Sequence, residues 1–302
     1  MPEREANPIL AKELRARMRG RRAFVILTAY LAVMSAFSAA VYYLNYLTSQ
    51  GPGGIVRMAP LGRPLFFAGT GIQLIMVVFL TPAFVTGAIA GERERQTFEL
   101  LRTTLLPARA LVGGKLVASL SFVLLLILAA VPVQSLAFVL GGVTVLEIGL
   151  ALLILVVSAV ASAILGLFFS SVARSTLNAT VMTYGTALFV NAVLPLATVG
   201  VVLVLGESIF GRSGASPPPP AVQVALVYAA LLIISISPLA AAIGTEVLFL
   251  QENSMLYYWQ SLESSYRVLV PSPWIVLLVI YVVVSALLLR ATVVRVGRQA
   301  CE

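Results

Sequence analysis

Few residues in this 302-residue chain can do chemistry, and the missing ones narrow the options first. Histidine is absent, all twelve acidic residues are glutamate, and the one cysteine, Cys301, stands beside the C-terminus. That removes His-ligated zinc, the two-His metalloprotease pattern, Ser-His-Asp and Cys-His triads, and any disulfide within the chain. No catalytic, cofactor-binding or metal-binding residue is expected, and the chain is expected not to be an enzyme. Gly113-Gly114-Lys115-Leu116 superficially resembles a phosphate loop, but the motif needs Gly at 109 and Ser or Thr at 116, where the chain has Arg109 and Leu116. The densest group of ionisable residues left lies in Gly91-Glu92-Arg93-Glu94-Arg95-Gln96-Thr97-Phe98-Glu99-Leu100-Leu101-Arg102. On a helix over 92–105, Glu92, Arg95, Glu99 and Arg102 form one stripe of alternating sign, in which opposite charges can pair. Phe98, Leu101 and Leu105 form a separate apolar stripe. A salt-bridged face with an apolar knob suits docking on another protein. The bland alternative is a solvated link, yet the segment 91–115 is long against the roughly 2–8 residues of most helix–helix connections.

A second charged segment precedes the first apolar run. Asn7 can cap a helix and Pro8 suits the first helical position. Leu10, Leu14 and Met18 then share one face, while Lys12, Arg15 and Arg19 point elsewhere. This describes an amphipathic helix over 7–22 lying among lipid headgroups, with arginines reaching toward phosphates. A generic positive anchor fits the same residues equally well.

The elements that must carry these segments are membrane spans. The chain is 60% hydrophobic and 11% charged, whereas a soluble domain has about a quarter of its residues charged. Apolar runs at 23–47, 65–90, 116–140, 145–170, 178–205 and 273–290 are long enough to cross a bilayer. The first is too long for a signal peptide and is read as a retained span. The fold expected is therefore an all-α integral membrane bundle of six helices, forming a single transmembrane domain over 1–302. The stretch 221–250 is broken at Ser237-Pro238 and reads as a re-entrant hairpin; a seventh crossing is the alternative.

Orientation follows from the basic residues. With the N-terminus inside, inner segments hold sixteen Lys and Arg and outer segments four, Arg57, Arg63, Arg212 and Arg267. Both termini are expected in the cytoplasm. The net charge of +8 is thus accounted for by membrane orientation, and no nucleic-acid partner is expected. Tyr42, Tyr43 and Tyr46 at the end of the first span, and Tyr257, Tyr258, Trp259 and Trp274 before the last, suit an interfacial belt. Polar residues within apolar stretches are Asn45, Gln73, Gln134, Asn178, Asn191 and Glu246. Of these, Gln73, Asn178 and Asn191 are candidates for a substrate path, with interhelical hydrogen bonding as the commoner role for Asn and Gln.

At its two charged segments the chain resembles the membrane subunits of ATP-binding-cassette (ABC) transporters, in the export-type (type-2) permease family. The resemblance begins at Asn7-Pro8, continues through Lys12-Glu13-Leu14-Arg15-x-Arg17-x-Arg19, and is strongest at Gly91-Glu92-Arg93-Glu94-Arg95-x-Thr97-x-Glu99-Leu100-Leu101, followed by Gly114-Lys115. Gln96 departs from the pattern, standing where such loops often have Gly, and Thr104-Leu105 stands where they often have Thr-Pro. The resemblance implies an interfacial elbow helix, and a coupling helix seated in a cleft of a separate ATPase subunit. Glu92, Arg95, Phe98, Glu99, Leu101 and Arg102 would make that contact. It further implies a second permease subunit, identical or related, with ATP and Mg held by the partner ATPase. The place would be the cytoplasmic (inner) membrane and the task alternating-access export. Two other readings stay open: a mechanotransmission or signalling membrane subunit that moves no solute, and a secondary transporter.

Overall fold

The structure, a computed structural model, describes residues 21–49, 61–96, 107–200, 219–252, 254, 256–261 and 267–299. Ten α-helices and one β-hairpin are described: α1 Arg21–Ser49, α2 Gly62–Val85, α3 Gly87–Glu94, α4 Ala108–Ala129, α5 Val131–Val139, α6 Val145–Val172, α7 Thr176–Leu188, α8 Pro220–Ile236, α9 Pro238–Glu252, β1 Tyr257–Ser261, β2 Arg267–Pro271 and α10 Pro273–Gln299. Among the described residues, six continuous helical stretches are long and apolar enough to cross a membrane: Ala23–Leu47, Gly62–Glu94, Ala108–Val139, Val145–Val172, Thr176–Gly200 and Pro273–Arg298. The chain is an α-helical, multi-pass membrane protein.

Three stretches are clearly longer than the apolar runs suggested, Ala108–Val139 at 32 residues among them. α2 and α3 together make 33 residues, about 50 Å at 1.5 Å per residue, against a hydrocarbon core of roughly 30 Å. Their polar ends therefore stand clear of the lipid tails. The final helix does not stop near residue 290 but continues through Arg290, Arg295 and Arg298 to Gln299. Leu288, Leu289, Val293 and Val296 recur at helical spacing and pack with Val85, Leu111 and Leu167, so core packing extends the helix past its first arginine. Arg298 in the last turn suits the negative end of the helix dipole.

The chain divides into two compact units, one formed by Met1–Tyr184 with Val284–Glu302, the other by Gly185–Val283. In the first, α2 and α6 are the central helices. Gly62 packs against the turn after α5, where an added Cβ would fall on the carbonyl oxygens of Ala137 and Gly141. Gly141 has φ +83° and Gly142 φ +90°, conformations that exclude most other residues. Beside this turn Thr144 and Glu147 form a capping box at the start of α6, and Glu147 also holds Arg63 at 3.0 Å. At the other end of these helices, Pro82 lies inside α2, where it supplies no backbone donor, and α2 passes into α3 through Thr86, whose dihedrals stay helical (φ −59°, ψ −30°).

In the second unit, α8 and α9 meet at Ser237. The residue before a proline is pushed toward extended backbone, and Ser237 has ψ 122°. Its carbonyl and hydroxyl begin α9, accepting from the amides of Ala241 at 2.8 Å and Ala240 at 3.4 Å. The Tyr281 hydroxyl of α10 donates to the Ile236 carbonyl at 3.0 Å. A chain break at membrane depth persists only where such groups find partners. The helices have 17 and 15 residues, about 25 and 22 Å, so neither alone matches a roughly 30 Å core.

The hairpin β1–β2, absent from the sequence expectation, pairs antiparallel with Tyr257 opposite Pro271, Trp259 opposite Leu269 and Ser261 opposite Arg267. One face turns inward, with Val270 fully buried and Tyr258 half-buried; burial raises the Tyr258 phenol above its usual pKa.

Candidate functional site

The charged segment that the sequence singled out is built into the end of the first unit. Four consecutive residues each take a different partner. Glu92, in the last turn of α3, accepts from Lys115 Nζ at 2.6 Å, and the same ammonium donates to the Ala88 carbonyl at 2.6 Å. Lys115 lies on α4 and its side chain is only 2% exposed. A lysine in so apolar a setting must be paired, because an isolated buried charge is far costlier than a buried amide. Arg93 donates to the Ala173 carbonyl at 3.2 Å, the C-terminal end of α6, where a cation is favoured. Glu94 accepts from the Thr176 amide at 2.9 Å and the Thr176 hydroxyl at 2.7 Å, the N-terminal end of α7, where an anion is favoured. Arg95 closes α3, its amide bonded to the Gly91 carbonyl at 3.2 Å, and its side chain is exposed.

Close packing brings these groups together. Ala90, Ala173 and Ala179 form a small core, and Gly87 and Gly91 lie against Thr176. The amides of Ile89 and Ala90 both donate to the Ser170 hydroxyl of α6, 3.0 Å from each. Thr180 donates to Thr86 at 3.1 Å. The end of α3 is thus tied to α4, α6 and α7 at once.

One helix running from Glu92 to 105 is not what forms. Glu92–Glu94 complete the long second stretch, Arg95 and Gln96 make a turn, and Gln96 takes φ +56°. Glu92 therefore pairs across to α4 instead of contributing to a local stripe. Residues 97–106, including Phe98, Glu99, Leu101 and Arg102, lie outside the described residues, as do Leu10, Lys12, Leu14, Arg15, Met18 and Arg19. The positive φ explains why a glycine would suit position 96: the residue after a helix end commonly turns left-handed, at a cost of roughly 1–2 kcal/mol for a residue with a Cβ. Gln96→Gly should leave stability equal or slightly higher, whereas Gln96→Val should lower it by about 1–2 kcal/mol, with a lower unfolding midpoint in detergent.

The substrate-path candidates each take separate partners, Gln73 and Asn178 in the first unit and Asn191 in the second. Gln73 is fully buried; its amide donates to the Ile127 carbonyl at 3.4 Å and it accepts from Gln134. It thus joins α2 to α4 and α5. Asn178 is exposed in the first turn of α7, beside the Glu94 cap. Asn191, in a π-helical turn over Phe189–Val193, bonds its own helix through Ala187 at 2.9 Å. Asn45 likewise bonds the Val41 carbonyl of its own helix. Toward the Arg63 end, Phe66, Phe138, Val145, Ile148 and Leu152 line a cavity of about 220 Å³. Gln134 and Ser135 also line it, donating to Gln73 and to the Pro132 carbonyl; the other lining residues are apolar.

Sequence reasoning missed Lys115, Ser170 and Thr176 as parts of this site. Lys115 carried a usable signal, since a lone cation inside an apolar helix requires a partner. Ser170 and Thr176 carried none, because their roles depend on which helices meet. Compared with known protein families and with characterised proteins, the chain matches none.

Proposed function

We propose that this chain is the membrane-spanning permease subunit of an ABC exporter, with its charged end in the cytoplasm of the inner membrane and a separate ATPase docked below it. The observation that supports this most is the fixed end of α3. The residues that follow in sequence, Phe98, Glu99, Leu101 and Arg102 among them, continue from a block, Glu92–Glu94, that is tied to α4, α6 and α7. A push delivered there by nucleotide-driven closure acts on several helices together, as a two-state bundle requires. Lys115 bonds Glu92 and the Ala88 carbonyl; ATP and Mg are assigned to the partner by the resemblance alone. A second permease copy or relative completes the pathway, and the apolar cavity fits a hydrophobic or amphipathic cargo.

A mechanotransmission or signalling subunit is the second reading. It is favoured by Gln73 and Gln134 bonding one another and the Ile127 carbonyl, a helix-to-helix role for two of the polar groups within the spans.

Purification from the native membrane should bring down an ATPase subunit. In the reconstituted complex, Glu99→Arg should leave the chain folded and bound while cargo-stimulated ATP hydrolysis and vesicle transport fall about tenfold, the loss of one charge-assisted contact of roughly 1.5–3 kcal/mol. Fully coupled transport in that variant would sink the coupling assignment. Coupled hydrolysis with no solute moved, over a broad cargo panel, would favour the second reading.

A further inference from the structure

The outward face of the β1–β2 hairpin carries an ordered gradient of residues. Strand alternation puts Tyr257, Trp259, Leu269, Pro271 and Arg267 on one side. Tyr257 is 49% exposed, Trp259 55% and Leu269 43%, and Arg267 is exposed beside them. The opposite side is used within the unit, through buried Val270 and half-buried Tyr258. The ribbon is also held by the Tyr228 hydroxyl, which donates to the Leu269 carbonyl at 2.7 Å, and by the Ser272 amide on the Leu256 carbonyl at 2.9 Å. A lone two-stranded ribbon is marginal in water, so these ties fix which face stays outward.

Chain continuity sets its depth. Pro271 lies two residues before Pro273, where the last membrane-crossing helix starts. The base pair Tyr257–Pro271 therefore sits at the edge of the hydrocarbon, with Trp259 and Leu269 about 7 Å and Arg267 about 14 Å farther along. The headgroup layer on one side of a bilayer is only roughly 5–8 Å deep. Upright, the ribbon would carry Trp259 to the far edge of that layer and Arg267 beyond it; lying over, its aromatic face rests along it. Tyr and Trp prefer this layer, and Arg267 at the far end complements lipid phosphates.

We propose that the hairpin lies over on the bilayer with Tyr257, Trp259 and Leu269 in the headgroup layer and Arg267 on lipid phosphate. The partner is the lipid surface on the side where α10 begins. This placement does not depend on the ABC reading.

The chain has two tryptophans, Trp259 and Trp274, so Trp274→Phe leaves Trp259 as the sole reporter. The full-length variant is reconstituted in phosphatidylcholine–phosphatidylglycerol vesicles. Expected is quenching of Trp259 by lipids brominated near the top of the acyl chain, at least twice that by lipids brominated deep in it, with little quenching by aqueous iodide. Arg267→Gln in that background should reduce the shallow quenching. Strong iodide quenching without lipid quenching would overturn the proposal in favour of a hydrated ribbon. Protection from both quenchers would overturn it in favour of a protein covering the face. If Trp274→Phe folds poorly, Trp274→Tyr serves, and the Trp259→Phe chain gives the reference signal of Trp274.

Discussion

Lys115→Met should destabilise the first unit by about 3–5 kcal/mol, since it removes one partner of a pair in which the cation is almost wholly buried. The Glu92 carboxylate, a quarter exposed, would be left facing α4 without its cation, and the Ala88 carbonyl would lose the ammonium. Lys115→Met combined with Glu92→Gln should recover much of the loss, because a buried pair can be replaced by neutral groups of similar size at little cost. The check is a double-mutant cycle on the unfolding midpoint in detergent, with an expected coupling of about 0.5–3 kcal/mol. Additive losses would mean that the 2.6 Å contact contributes no stability. Under the function proposed above, the double variant should also transport less than its stability predicts, since Glu92 would no longer hold the end of α3 to α4.

Gly62→Ala should be the second severe change. The new methyl would land on two carbonyl oxygens, those of Ala137 and Gly141, and both are backbone. No rotamer change relieves that overlap, so α2 must move off the turn after α5. Overpacking typically costs about 1–3 kcal/mol, and a clash with fixed backbone belongs at or above the top of that range. Arg63 and Glu147 would separate as the helix moves. Gly69→Ala is the matched control, since a Cβ there meets nothing within 4 Å. It should be neutral or stabilising by up to about 1 kcal/mol, the helix-propensity gain of Ala over Gly. Equal midpoints for the two variants would contradict the packing described for Gly62.

The spans were legible because lipid leaves a strong composition signal, and the Ser237-Pro238 break because proline forbids continuous helix. Helix lengths were less legible. The sequence boundary at 290 followed Arg290, yet Val293 and Val296 keep a packing face beyond it. The hairpin was missed because Tyr257, Tyr258 and Trp259 read equally as an interfacial cluster, and the period-2 pattern covers only five residues on each strand. At the charged end, local spacing favoured a Glu92–Arg95–Glu99 stripe, but the geometry joins Glu92 to Lys115, Arg93 to Ala173 and Glu94 to Thr176. Those pairings depend on which helices become neighbours, and spacing along one segment carries no such information. The departure at Gln96 was visible in sequence; the left-handed turn that explains it was not.

The Arg63–Glu147 pair bears on how the chain is made. Its members are 84 residues apart, and ribosomes add about 5–20 residues per second. Arg63 thus emerges roughly 4–17 s before the carboxylate that will neutralise it. During that interval the Arg63 guanidinium can rest over the Phe67 ring of its own helix, 5.9 Å from its centroid, at an end of the stretch that reaches water and headgroups. The fourth membrane-crossing stretch, α6, brings Glu147 already held in place by its cap on Thr144. The ion pair can therefore close only once α2 and α6 have both been made.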